Sequence, residues 1–167
     1  MQDNIIVKPS VEKQFDRFLR QGRVLFFSAP CGFGKTAVAE ALLSSREVLR
    51  LPADSVGSKL PSAEADWQIL LLDDLQDMQE EQDWNALCEL IRACPERRFV
   101  LLSRGTPPGS LMAFQYTGLM TVLEADDLLF DADDVRRLFQ LSGANVTDSE
   151  IDGILKESVG YPLGVAI

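Results

Sequence analysis

One short stretch limits what this chain can fold into more than any other. Residues 23–28 read Arg-Val-Leu-Phe-Phe-Ser, a short apolar run consistent with a buried strand. Residues 35–45 are rich in Ala and Leu, which favour helix. Between them lies Ala29-Pro30-Cys31-Gly32-Phe33-Gly34, and Lys35-Thr36 open the helix. Gly32 and Gly34 allow backbone conformations and a close approach that a Cβ would block. Successive backbone N–H groups in such a loop form an anion-binding nest. The helix that follows aims its N-terminal N–H groups and its dipole at the same point. Lys35 adds a cation suited to β- and γ-phosphates, and the Thr36 hydroxyl is a hard oxygen ligand of the kind Mg²⁺ prefers.

Strand, [A/G]xxxxGK[S/T] and helix in that order are the Walker A phosphate loop, with Ala29 in the place of the usual first Gly. The nucleotide-binding set read from it is Ala29, Pro30, Cys31, Gly32, Phe33, Gly34, Lys35, Thr36 and Ala37. A chance match in a Gly-rich turn is the competing explanation, and the flanking strand and helix count against it. Cys31 and Phe33 fill free positions of the pattern. A passive loop residue is the simpler reading of Cys31 than an oxidation-sensitive thiol.

The rest of the chain supplies a frame for such a loop. Residues 12–21 place Phe15, Phe18 and Leu19 at helical spacing. Strands are expected at 48–51, 68–73 and 98–103, with a short last one at 121–123. Residues 52–66 read as loop, and 83–93 as a helix with Trp84, Leu87, Cys88 and Ile91 on one face. Asp131 is placed to cap a helix over 132–141, and Thr147-Asp148-Ser149-Glu150 is a capping box opening another. Gly160-Tyr161 ends that helix, and Pro162 is suited to the first position of the next. Short buried strands alternating with helices imply a parallel sheet covered on both faces. The expected fold is an α/β P-loop NTPase three-layer sandwich over residues 1–124. A C-terminal helical lid begins at 125–167, incomplete because the chain stops inside its last helix.

Ile69-Leu70-Leu71-Leu72-Asp73-Asp74 is a buried strand ending in acid, the Walker B pattern. Asp73 at the strand tip would hold Mg²⁺ through water. Asp74 is placed to orient the attacking water, and turn formation is the alternative use of an Asp there. Val100-Leu101-Leu102-Ser103-Arg104 is a third such strand. If it lies between the other two, Ser103 and Arg104 emerge beside the γ-phosphate, where a cation could sense it or stabilise transferring charge. A surface Arg after a strand is the plainer reading. Lys35, Asp74 and Arg104 are thus the candidate catalytic groups, and Thr36 and Asp73 the candidate metal ligands.

Composition narrows the partners. The 167 residues carry a formal net charge of −10 and no histidine. An acidic surface disfavours direct contact with nucleic acid or anionic membrane, so DNA contact would need a domain outside this chain. His-based catalysis and His metal ligation are excluded. Three cysteines without CxxC spacing fit a reducing compartment and no structural zinc. Met1 is followed by Gln-Asp-Asn, unlike a signal peptide. No apolar segment approaches the roughly 18–20 residues that span a bilayer. These features point to a cytoplasmic protein.

Ser28-Ala29-Pro30-Cys31-Gly32-Phe33-Gly34-Lys35-Thr36 is similar to the phosphate loop of large LuxR-type, maltose-regulator-like transcriptional activators, members of the STAND class of signal-transduction ATPases. Leu71-Leu72-Asp73-Asp74-Leu75 resembles their Walker B, and Leu101-Leu102-Ser103-Arg104 with Pro107-Pro108 their sensor strand. The run from Leu123 to Phe130 resembles their lead into the lid, and Gly160-Tyr161-Pro162 their G-x-P motif, whose Pro lies near the adenine. Lys8-Pro9 stands where the family often has an Arg-Pro that lines the adenine pocket. The chain departs from the family in that Lys8 and in a shorter stretch between Walker A and Walker B. The resemblance implies an ASCE/STAND-type switch binding ATP/ADP and Mg²⁺, with slow hydrolysis and ATP-dependent self-association. Sensor repeats and a helix-turn-helix, through which DNA would be bound, would follow in further C-terminal domains. Two other readings stand beside it: a small-molecule kinase, and a nucleotide-binding module without hydrolysis. The acidic run Glu124-Ala125-Asp126-Asp127-Leu128-Leu129-Phe130-Asp131-Ala132-Asp133-Asp134 disfavours a kinase lid, which is usually basic.

Overall fold

Five short segments assemble into one parallel sheet in a computed structural model that describes residues 5–162 and 164. The strands are β1 (Val24–Ser28), β2 (Val48–Pro52), β3 (Ile69–Asp73), β4 (Arg98–Ser103) and β5 (Met120–Glu124), in the order β2-β3-β4-β1-β5. All four pairings are parallel, with Leu25 opposite Val100 and Thr121, and Leu70 opposite Leu49 and Phe99. Strands buried on both faces need apolar residues at every position, which is why β1, β3 and β4 read as continuous runs.

Alternation along each strand sorts the core into two layers. Val24, Phe26, Leu70, Leu72, Phe99 and Leu101 face one side. They pack there with Ala53 and Val56, with Leu87, Cys88 and Ile91 of α4 (Glu81–Ala93), and with Phe114 of α5 (Met112–Tyr116). Leu25, Phe27, Ile69, Leu71, Val100 and Leu102 face the other side. Their partners are Val11, Phe15 and Phe18 of α1 (Pro9–Gln21) and Val38, Ala39 and Leu43 of α2 (Lys35–Leu43). The three-layer α/β sandwich expected from the sequence is present.

Several boundaries differ for local reasons. Helix α1 begins at Pro9 rather than residue 12, because a proline needs no N–H at the first helical position. The Lys8 carbonyl accepts from the N–H groups of Val11 and Glu12, 3.0 Å each. The stretch 52–66, expected as loop, contains a 3₁₀ turn at Ala53–Ser55 and the short helix α3 (Val56–Lys59). Its mix of Pro, Gly, Ser and Ala has no helical period, so docking of Ala53 and Val56 into the core orders it instead. Helix α5 and the acidic α6 (Ala125–Leu128) are likewise too short to show a period. In α6, the Glu124 and Asp127 side chains cap reciprocally.

The C-terminal helices follow their caps. Helix α7 (Ala132–Leu141) starts at Asp131, whose Oδ1 accepts from the Asp134 N–H at 3.0 Å. Helix α8 (Asp148–Ser158) starts at Thr147, with Glu150 returning to the Thr147 N–H at 2.7 Å. Val135 and Ile151 bury a small cluster of their own between the two helices. Most of the helix expected from Pro162 lies outside the described residues. None of the described helices is long and apolar enough to cross a membrane.

Candidate functional site

A parallel sheet presents its strand ends and the following loops on one edge, and ligand sites of such sheets lie there. A cleft of ≈ 490 Å³ opens at this edge, a size suited to a small-molecule ligand. Gly32 at φ 85° and Gly34 at φ 75° curve the chain from β1 into α2, in the left-handed region that glycine adopts without strain. Open space surrounds the place where a Cβ on Gly34 would lie. Cys31, Gly32, Phe33, Gly34, Lys35, Thr36 and Ala37 all line the cleft.

Ala29 and Pro30 do not line the cleft. Ala29 is buried, and the Lys35 ammonium donates to its carbonyl at 2.6 Å and to the Pro30 carbonyl at 3.0 Å. Burial holds the Lys35 ammonium below its usual pKa; Arg104 adds to the effect, and Asp73 and Asp74 oppose it. An anion entering the cleft would favour the charged form of Lys35.

The strand order brings the other motifs to this loop. Because β4 lies between β1 and β3, the ends of all three meet at the cleft. Thr36 Oγ1 donates to Asp73 Oδ2 at 2.9 Å, which joins the expected metal ligands directly. Their donor set is oxygen only, and among the described residues no group of three acids, cysteines or histidines forms a metal cage. Such a site suits Mg²⁺, which completes its shell with water and phosphate rather than with an all-protein cage.

Asp74 lines the cleft beside them, in the left-handed region at φ 58°, and its N–H donates to Asp73 Oδ1 at 2.7 Å. Asp tolerates this conformation better than most residues because its short side chain bonds locally. Arg104 also lines the cleft. Ser103 does not: it is buried, and its Oγ accepts from the Gly105 N–H at 3.1 Å. Its carbonyl accepts from the Ala29 N–H at 3.2 Å, so Ser103 joins the end of β4 to the 29–36 loop through its backbone.

Gln76 is a residue the sequence reading missed. Its Nε2 donates to Asp74 Oδ1 at 2.9 Å, and its Oε1 accepts from the Arg104 N–H at 3.1 Å. A carboxylate on one side and an N–H on the other leave the amide one orientation. Gln76 therefore ties the end of β3 to the end of β4. No sequence pattern singles out a Gln in a turn.

The far side of the cleft is apolar. Ile5, Ile6, Val11, Leu128, Phe130, Leu138 and Pro162 line it. Lys8 lines it too, but its ammonium is engaged: it donates to the Leu129 carbonyl and lies 3.3 Å from Asp134 Oδ2. Asp134 is 2% exposed, a buried acid that the sequence showed only as a residue of a helix start. Pro9 does not line the cleft; it serves as the first residue of α1, whereas Lys8, Ile5 and Ile6 do line it.

No protein-family model and no curated protein matches the chain. Solved structures do. A variant of RuvB of Thermotoga maritima superposes over 96% of this chain and 59% of its own at TM-score 0.65 and 17% identity. A Walker-type ATPase of Pyrococcus abyssi covers 98% and 67% at TM-score 0.64 and 11% identity. The fold is that of the P-loop ATPases. A third P-loop ATPase of this shape is a STAND protein with a tetratricopeptide-repeat sensor from Pyrococcus horikoshii. It covers 96% of this chain and 29% of its own at TM-score 0.63 and 12% identity. The chain thus spans about three fifths of the RuvB chain and under a third of the STAND protein.

Proposed function

We propose that the chain is the ATP/ADP-binding switch module of a bacterial LuxR-type regulator, with slow Mg²⁺-dependent hydrolysis. The observation that carries this reading is the convergence on one cleft of the 31–37 loop, the Thr36–Asp73 pair, Asp74, Arg104 and an apolar wall with Pro162. A polar end for phosphates and an apolar end for a base are what an adenine nucleotide requires of a site.

In this reading the N–H groups of the 31–37 loop and the Lys35 ammonium hold the phosphates. Thr36 and Asp73 would hold Mg²⁺, the latter through water, and the ion would neutralise phosphate charge. Asp74 orients the attacking water, with Gln76 fixing its carboxylate. Arg104 faces the terminal phosphate and stabilises charge in transfer. Lys8, Ile5, Ile6 and Pro162 border the base. Residues 1–124 form the nucleotide-binding core and 125–167 the start of a lid that closes over it.

The order of motifs from Lys8 to Pro162 supports a STAND-type switch, and a STAND protein with a repeat sensor shares the fold. Sensor repeats and a DNA-binding helix-turn-helix would lie in further domains of the same regulator, and ATP would favour self-association. Phosphate release from Mg²⁺-ATP tests the hydrolytic part. Asp74→Asn is expected to slow it about a hundredfold or more while ATP still binds. Equal turnover in the variant would remove Asp74 from that role.

A further inference from the structure

Tyr161 lies between the glycine that ends α8 and the proline that borders the cleft, yet its hydroxyl reaches the phosphate loop. It donates to the Cys31 carbonyl at 2.8 Å, across 130 residues of sequence. Its ring packs on Phe33 with centroids 5.1 Å apart and a 55° tilt. A Cβ on Gly32 would fall 1.8 Å from the Tyr161 hydroxyl oxygen, so the glycine at 32 is needed for this approach as well as for its own φ of 85°.

The position of Tyr161 is built in from the backbone. Gly160, at φ 75°, accepts at its carbonyl from the Phe130 N–H at 2.8 Å. A Cβ on Gly160 would meet the Phe130 carbonyl oxygen at 2.5 Å, so only glycine allows the two segments to lie this close. The Tyr161 N–H donates to the Ser158 carbonyl at 2.9 Å. The tyrosine is thus delivered to the loop by a fixed turn.

Peptide geometry turns this bond into a consequence for the loop. The Cys31–Gly32 peptide is trans and planar, so its C=O and its N–H point in opposite directions. A hydroxyl that holds the Cys31 carbonyl on one side holds the Gly32 N–H on the other. We infer that Tyr161 is a positioning residue for the phosphate cradle: from the C-terminal helical segment it fixes the Cys31–Gly32 peptide so that the Gly32 N–H serves the nest. The inference rests on the nucleotide reading above. It makes phosphate affinity depend on the docking of residues 160–162, with no contact between Tyr161 and the ligand.

The test is Tyr161→Phe in the chain, titrated separately with ADP and with adenosine. Phenylalanine keeps the packing on Phe33 and removes only the hydroxyl. ADP affinity is expected to fall about 5–10-fold, as for one lost hydrogen bond, with adenosine affinity unchanged. Amide exchange at Gly32 is expected to accelerate several-fold without ligand. Unchanged ADP affinity, equal losses for ADP and adenosine, or unchanged Gly32 exchange would each overturn the role of Tyr161. A wild-type chain that binds neither ligand would instead overturn the nucleotide reading, and this inference with it.

Discussion

Gln76 shows how much of the site depends on a single side-chain orientation. Its amide connects the Asp74 carboxylate at 2.9 Å with the Arg104 backbone at 3.1 Å. Gln76→Ala frees the Asp74 carboxylate and the end of β4 together, while touching neither the loop nor the apolar wall. Turnover is expected to fall about tenfold, the scale of one hydrogen bond to a charged group, with ADP affinity within twofold of wild type. Steady-state kinetics beside calorimetry checks this, and a matching loss of affinity would show that Gln76 supports the fold rather than Asp74. At this scale the sequence was legible where chemistry has a local spelling. Gly32, Gly34, Lys35, Thr36 and Asp73 announce themselves by spacing. Gln76, Asp134 and Tyr161 do not, because their partners lie on other elements, and Tyr161 meets Cys31 across 130 residues.

Among the elements, the caps are the most readable features and carry a pH signature. The Asp131 carboxyl lies below its usual value, first because the Asp134 N–H donates to it and also because Lys8 is near. A depressed folded pKa contributes stability that is present above the unfolded value of about 3.9 and is lost as pH falls through the folded value. Acid unfolding of α7 below about pH 4 is therefore expected to be steeper in wild type than in Asp131→Asn, which can still cap without titrating. Circular dichroism against pH separates the two. Val159 offers an opposite case at the end of α8. It is a β-branched residue at φ 53° and 77% exposed, so it strains the backbone with little burial in return. Val159→Gly is expected to stabilise the chain by about 1 kcal/mol in thermal unfolding, and a destabilised variant would contradict that reading of the turn. Elements that lack a period, α3 and α5, were hidden in the sequence because packing, rather than local preference, forms them.

On the scale of the whole molecule, ion pairs of Lys8 with Asp131 and Asp134 tie the segment before α1 to the start of α7. Lys8, just before α1, meets Asp134 of α7 at 3.3 Å, and Arg137 of α7 lies 3.5 Å from the Val7 carbonyl. Removing Lys8 leaves the buried Asp134 carboxylate with Arg137 of its own helix, 3.9 Å away, as its remaining counter-charge. Lys8→Met is expected to destabilise the chain by about 2–4 kcal/mol in urea unfolding, more than Arg50→Met, whose pair with Glu40 is exposed. Equal effects would show the buried pair to be no stronger a link than the surface one. The sheet order brings the ends of β1, β3 and β4 to one edge, and the C-terminal segment reaches that edge through Tyr161 and Pro162. The central claim is that this edge binds the phosphates of an adenine nucleotide through the 31–37 loop. Calorimetric titration of ADP with Mg²⁺ into the wild-type chain and into Lys35→Ala tests it most directly. Saturable one-to-one binding by the wild type, lost in a folded Lys35→Ala, is the predicted result, and equal affinity in the two proteins would contradict it.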